Sequence, residues 1–419
     1  MRQIIFHIDV NSAFLSWTAV EELKNGSEID LREIPSIIGG NQQSRHGVVL
    51  AKSIPAKKYG IKTGEPVVNA FRKCPNLTME PPNHKMYSEY SQRLMKFLET
   101  YTPDIEQVSV DECYMNYTGI AKQFPSPIDA ALEIKNEVYK RFGFTVNVGI
   151  SDKKLLAKMA SDFEKPDKVH TLFTEEIQIK MWPLPVGELY MAGKSTVQTL
   201  EKLEIKTIGD LAKADPKIIE LHLKSHGKKL WELANGLDNS SVEVEKAEAK
   251  GIGNSTTLPK DLETEEEAKE VLLRLSESVG GRLRKSGQKA RMVSVEIKYY
   301  NFESYSHQKH MQQATNSDQM IYQTAVELFR ELWDKNPVRL LGIRTSKLEE
   351  EGEPEQLSLF DIQYANVRNK KVSNNKKHEE LDKALDSIRE KYGKDAVVRG
   401  GHYADKERNK KNHPVLQGD

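Results

Sequence analysis

Residues 4–10, Ile-Ile-Phe-His-Ile-Asp-Val, limit the fold more than any other feature of the chain. Ile4, Phe6, Ile8 and Val10 share one side of an extended strand, and Ile5 is apolar on the other. A strand that is apolar on both faces belongs in the middle of a sheet. This one ends near a carboxylate, Asp9. The spacing then predicts a helix over 11–23 and a turn-rich stretch marked by Gly39, Gly40, Gly47, Gly60 and Gly64. Residues 105–115 read as a second strand, carrying the adjacent acids Asp111 and Glu112. Ser126 and Pro127 open a helix as N-cap and first-turn proline, and Gly143 closes it. Val146, Val148 and Ile150 alternate as a strand. Leu155, Leu156, Met159 and Phe163 mark a further helix. A mixed sheet with helices on one face satisfies this order.

The chain has 419 residues, enough for several domains. Residues 171–237 read as short helices, 240–250 as an extended linker, and 251–348 as a separate α+β unit. That unit has helices over 265–283 and 315–333 and strands over 292–299 and 339–348. An acidic run begins at Glu349, and a polar stretch over 406–411 reads as a mobile end. Lys plus Arg equals Asp plus Glu at 62 each, so no uniformly basic coat advertises a nucleic-acid partner. Two cysteines make neither a disulfide framework nor a zinc site. The start of the chain has no signal-peptide core, and no apolar run is long enough to span a membrane. The expectation is a cytoplasmic protein.

The acids are the first chemistry to weigh. Three carboxylates at strand ends can share divalent cations. Mg²⁺ takes one or two carboxylates plus phosphate oxygens, and two ions about 3.5–4 Å apart can clamp both oxygens of a phosphoryl transfer. The alternative is that these acids cap turns or pair with lysines. Lys52, Lys57, Lys58 and Lys165 are point charges that could hold a triphosphate, or they are solvated surface groups.

Four segments then combine: Phe-His-Ile-Asp-Val-Asn-Ser-Ala-Phe, Ala-Lys-Lys-Tyr-Gly-Ile-Lys-Thr-Gly, Ser-Val-Asp-Glu-Cys-Tyr and Val-Gly-Ile-Ser-Asp-Lys-Lys-Leu-Leu-Ala-Lys-Met-Ala-Ser-Asp. In this order the chain resembles the Y-family translesion DNA polymerases from Met1 to about Leu348. The resemblance implies a multidomain α+β right hand: a ferredoxin-like palm (1–13 and 83–172), small fingers (14–82) and a helix-hairpin-helix thumb (173–240). A linker (241–250), an α+β little finger (251–348) and a tail (349–419) would follow. It implies a low-fidelity, template-directed polymerase that uses two Mg²⁺ ions, primer–template DNA and dNTPs and acts as a monomer. Asp9, Asp111 and Glu112 match the metal-binding carboxylates, with the Val10 carbonyl completing the set. Phe14 matches the steric gate against ribonucleotides. Lys57 and Lys165 match triphosphate-binding positions. Two departures stand out: Ile54 replaces a tyrosine, and Lys57 a forked arginine. Leu50 and Ala51 match the roof over the nascent base pair.

Gly193 matches a thumb hairpin that offers backbone N–H groups to DNA phosphates. Met191 stands where that hairpin's first glycine is usual. Residues 281–310 hold seven Lys or Arg against two acids, the footprint of a DNA-binding face. Arg291, Lys298 and Arg344 are its expected contacts. Gln356, Leu357, Leu359 and Phe360 resemble a bacterial sliding-clamp-binding peptide. Leu381, Leu385 and Ile388 line one side of a helix over 381–392. Three rivals are a catalytically silent DNA- and clamp-binding factor of the same fold, a nucleotidyl cyclase on a related palm sheet, and a subunit that needs accessory proteins.

Overall fold

The computed structural model describes residues 3–40, 47–245, 248–350, 365–393 and 396–397. It forms two compact units, Met1–Lys246 and Ala247–Asp419.

In the first unit the opening strand β1 (Ile5–Val10) leads into α1 (Ala13–Lys24). A three-stranded sheet follows, made of β2 (Ser36–Gly39), β3 (Val49–Lys52) and β4 (Thr78–Glu80), with α2 (Ile54–Lys58) and α3 (Val67–Lys73) between β3 and β4. Then come α4 (His84–Leu98), β5 (Ile105–Gln107), β6 (Glu112–Asn116), α5 (Pro127–Phe142), β7 (Val146–Ser151), α6 (Lys154–Asp162) and β8 (Val169–Thr171). The five long-range strands order as β5-β6-β1-β7-β8, so β1 is central, as its two apolar faces require. Ile5, Phe6, Ile8 and Val10 are each at most 2% exposed. Each contributes roughly 1.5–3 kcal/mol of burial.

Two local readings change. Residues 105–115 are two antiparallel strands, not one. The Ser109 hydroxyl accepts the N–H groups of Asp111 and Glu112, which folds the chain into a tight turn between β5 and β6. Helices also cover both faces of the sheet. Residues of α4 and α5 pack with Phe6, Ile8 and Val10. On the opposite face, α6 crosses Gly149, the residue paired with His7. A Cβ on Gly149 would lie 2.0 Å from the Ala157 carbonyl oxygen, so only glycine admits this approach.

Residues beyond β8 form short turns and then α7 (Lys194–Lys202), α8 (Ile208–Lys213) and α9 (Pro216–Ala234). Their core is continuous with Leu155, Leu156 and Met159 of α6. The linker starts pinned: Val242 packs on Ile5 and Tyr114, and the Glu243 N–H donates to Glu106.

The second unit holds β9 (Gly251–Leu262), α10 (Glu265–Lys285), β10 (Gln288–Tyr299), β11 (Ser304–Thr315), α11 (Asp318–Leu332), β12 (Val338–Glu350) and α12 (Ala365–Tyr392). Its antiparallel sheet orders as β11-β10-β12-β9, and the core lies between it and the helices α10 and α11. The strands β9 and β11 were not legible. Both are edge strands, and β11 is exposed over its first seven residues, so neither shows clear apolar alternation.

The tail helix docks through charge rather than through its apolar stripe. Leu381 and Ile388 remain 53% and 37% exposed, while Asp382 is 1% exposed. Arg284 of α10 bonds Asp318 and Asp386, Lys289 bonds Glu379, and Arg389 bonds Glu277.

Candidate active site

Three backbone features bring the acids together. β1 carries Asp9 at its end. The register of β1 against β6 sets Asp9 directly beside Glu112. The Val10 N–H donates to the Asp111 carbonyl at 2.9 Å, which fastens the turn to β1. Asp111 is fixed by the Ser109 hydroxyl, which donates to its Oδ1 at 2.6 Å. Glu112 Oε2 receives Lys158 Nζ at 2.8 Å and lies 3.3 Å from His7 Nε2. Asp9 takes Lys165 on Oδ1 at 2.9 Å and Lys158 on Oδ2 at 3.4 Å.

The electrostatics are those of a site built for cations. Burial, together with the charges of Asp9 and Glu112, pushes the Asp111 carboxyl above its ordinary range, against the Ser109 bond. Glu112 goes the other way, down to about 2. The His7 hydrogen bond is the chief cause, with Lys158 adding to it and burial opposing both. Burial alone would lower Lys158 and Lys165, yet both are raised by the carboxylates they touch. Among the described residues no three Asp, Glu, His or Cys side chains converge as a metal site. Two ammonium groups lie on the carboxylates instead. The donor set still suits Mg²⁺: hard carboxylate oxygens, plus a repulsion at Asp111 that a divalent ion relieves.

The depressed Glu112 has a consequence for stability. It adds stability that is fully present above the ordinary carboxylate value of 4.5 and lost as pH falls toward about 2. Without metal, wild type should exceed Glu112→Gln in urea midpoint at pH 7. The gap should narrow from pH 4.5 down to about 2. A gap that widens on acidification contradicts this arrangement.

Beside the acids, Phe14 is half-buried and stacks on Tyr87, with ring centroids 4.3 Å apart and planes 7° from parallel. His84 meets its edge at 5.9 Å. Leu50 and Ala51 of β3 pack in one cluster with Phe14. The Ser12 hydroxyl donates to the Lys52 carbonyl at 3.2 Å, tying β3 to the turn after β1. Lys52 is lowered by burial and by the nearby Lys57 ammonium, while Lys57 itself is exposed on α2. The Phe14 ring and the strand Val49–Lys52 thus pack together next to the end of β1.

Comparison with known proteins decides the family. The model of the impB/mucB/samB family matches residues 8–162, and that of its C-terminal domain matches 249–359. DNA polymerase IV of Clostridium acetobutylicum is 49% identical over 399 residues, covering 95% of this chain and 98% of that protein. DNA polymerase IV 1 of Bacillus subtilis is 34% identical over 400 residues, covering 95% of this chain and 92% of that protein. The chain belongs to the Y-family DNA polymerases. A solved Y-family chimera of Dbh and Dpo4 shares the fold, with a TM-score of 0.71 at 24% identity, over 82% of this chain and 98% of its own. The polymerase is DNA-directed and of the translesion type, and the silent-factor reading is not favoured.

The residues expected to touch DNA are distributed unevenly. In the segment after β8, Gly193 precedes α7 and is exposed. Met191 adopts a left-handed φ of 72°, a conformation that suits the glycine it replaces. Met191→Gly should therefore raise the urea midpoint by about 0.5–1 kcal/mol in stability. An unchanged or lower midpoint would show that the side chain's contacts outweigh the backbone strain.

In the second unit, the antiparallel register puts Ser294 beside Arg344 on the sheet face away from the core. Glu296 and Lys298 share that face of β10. Arg291 differs: it sits at the irregularity between Ala290 and Met292 and pairs with Glu349. Most of the expected basic footprint is likewise spent inside the fold. Arg284 and Lys289 hold α12, Lys309 pairs with Glu327, and Arg282 donates to the Gly253 carbonyl. Counting charge along the sequence missed acids that the fold brings in from 318–386. Gln356, Leu357, Leu359 and Phe360 lie outside the described residues.

Sequence reasoning missed three groups at the site: Lys158, His7 and Ser109. Lys158 stands four residues before Asp162 on α6, and His7 two before Asp9 on β1. Those two spacings were the available signals.

Proposed function

We propose that this polymerase holds two Mg²⁺ ions with Asp9, Asp111, Glu112 and the Val10 carbonyl, and extends a primer past damaged template bases. The observation that carries this is that Asp9 and Glu112 share Lys158 while Asp111, tied to β1 through its carbonyl, feels the charge of both. When bound, the ions supply Lewis acidity and orient the reacting phosphate oxygens. The chain's own residues do the rest. Lys165, held by Asp9 and Asp162, is set to transfer to the triphosphate and balance the charge of departing pyrophosphate. Lys57 adds a point charge from α2 without bidentate geometry.

Phe14 selects the sugar. Tyr87 and His84 back its ring, so the ring cannot yield to a 2′-hydroxyl. Phe14→Ala should improve incorporation of ribonucleotides relative to deoxynucleotides by roughly a hundredfold, about 2.7 kcal/mol. A ratio of kcat/KM values within threefold of wild type would remove the gate from Phe14.

Residues 1–13 with 83–172 serve as palm, 14–82 as fingers and 173–240 as thumb. The second unit is the little finger, which α12 extends beyond residue 348. Gly193, Lys298 and Arg344 contact the DNA backbone. Gln356, Leu357, Leu359 and Phe360 bind the sliding clamp. No helix among the described residues is long and apolar enough to cross a membrane. A cytoplasmic monomer acting in repair is part of this proposal. The test is primer extension across an abasic or alkylated template base with Mg²⁺ and dNTPs, with and without the bacterial clamp. Full stalling one base before every lesion, while undamaged template is copied, would reject the translesion reading for this chain.

A further inference from the structure

We infer that His7 is a positioning residue that fixes which oxygen of Glu112 faces the metal. The inference rests on reading Glu112 as a metal ligand. His7 is 1% exposed, set on the β1 face that α6 covers. Its ring is held from three sides. Nε2 lies 3.3 Å from Glu112 Oε2, Nδ1 lies 2.8 Å from Ser161 Oγ, and the Tyr114 ring meets it at 4.8 Å and 60°. A carboxylate oxygen at Nε2 requires the proton there. With the proton on Nε2 the ring donates to Glu112, and Nδ1 faces the Ser161 hydroxyl, whose oxygen lies 2.8 Å from both Nδ1 and the Lys158 carbonyl and has a single hydrogen to share between them. Ser161 is fully buried on α6, so the chain of bonds runs from the helix, through the ring, to the acid.

The geometry goes beyond a salt bridge to Lys158. The described bonds from His7 and Lys158 both fall on Oε2. Two donors hold that one oxygen, and none of the described bonds falls on Oε1, which is left for a cation. Asp111 is prepared in the same manner, with Ser109 on its Oδ1. The Lys158 ammonium is an unbranched, flexible donor shared among Asp9, Glu112 and Asp162. His7 is the rigid one, so it keeps Glu112 in place when Lys158 moves.

The test is Mn²⁺ binding to the full chain, read by the loss of the free-ion electron paramagnetic resonance signal. The samples contain dideoxy-terminated primer–template and dNTP, so no turnover contributes. Five proteins are compared: wild type, His7→Leu, His7→Gln, Ser161→Ala and Glu112→Ala. His7→Leu should weaken Mn²⁺ binding about tenfold or more, the usual reach of a group that orients a ligand. His7→Gln keeps an N–H at the Nε2 position and should stay within about threefold of wild type. Ser161→Ala should fall between them, and it carries the test if His7→Leu does not fold. In extension assays His7→Leu should lower kcat while KM for dNTP stays unchanged. If His7→Leu and Ser161→Ala bind Mn²⁺ like wild type while Glu112→Ala does not, the role of His7 is refuted and the metal site stands. If Glu112→Ala also binds like wild type, the reading of the site fails first.

Discussion

Asp111→Asn should extend primers about a thousandfold more slowly than wild type, while the metal-free protein melts no lower. The two halves of this expectation have one cause. Asp111 is a carboxylate pushed toward its neutral form by burial and by Asp9 and Glu112 beside it. In the absence of a cation that crowding is a standing repulsion. An asparagine keeps the shape, and its side-chain oxygen can still accept the Ser109 hydroxyl bond, 2.6 Å in the native chain. It removes the charge, and with it the repulsion, so the resting fold loses nothing. Catalysis loses a ligand oxygen that carries full negative charge. Charge stabilisation of this kind is worth several kcal/mol, and about 4 kcal/mol is a thousandfold in rate. Single-turnover extension with saturating Mg²⁺ gives the first quantity, and a thermal melt in EDTA gives the second. Activity within tenfold of wild type would take Asp111 out of the metal site. A melting temperature several degrees lower would mean that the charge supports the fold, contrary to its raised pKa.

The carboxylates were legible because β1 states its own position. Four apolar side chains on one face and Ile5 on the other place it centrally, and Asp9 follows from that. The helix α5 was legible for local reasons: Ser126 caps it, Pro127 starts it and Gly143 ends it in a left-handed turn. What the sequence hides is pairing across distance. Lys158 belongs to Glu112, 46 residues away, and His7 to Ser161, 154 residues away. No periodicity encodes either. Polar edges were hidden for a different reason, since β11 buries too little to show an alternating pattern. The helix α12 misled in a third way. Its apolar stripe of Leu381 and Ile388 suggested a packing face, yet the buried face is set by Asp382 and Asp386, because a buried arginine awaits them.

That arginine allows the second large effect to be stated. Arg284→Met should lower the melting temperature of the second unit by about 10 °C. Arg284 is 4% exposed and its partners Asp318 and Asp382 are 1% exposed each, with Asp386 completing the set. Removing one member of a buried ionic group leaves the other charges without compensation, at a cost of about 3–5 kcal/mol. For a unit of this size each kcal/mol moves the melting temperature by roughly 2–4 °C. Space cannot absorb the change either: a Cβ on Gly280 would lie 2.1 Å from Asp318 Oδ1, so the helix and the acid are already in close approach. A double variant, Arg284→Met with Asp382→Leu, should regain part of the loss, because apolar replacement of a buried charge group is often tolerated. The contrast lies with Lys298 and Arg344, which no ion pair holds among the described residues. Lys298→Ala and Arg344→Ala should leave the melting temperature within about 1 °C and instead weaken DNA binding, each lowering the salt-dependence slope by about 1. If Arg284→Met melts like wild type and binds DNA more weakly, then Arg284 reaches phosphate in solution and α12 does not stay docked. If it melts early, its weaker DNA binding follows only from unfolding, and the basic footprint over 281–310 divides into cations that build the domain and cations that use it.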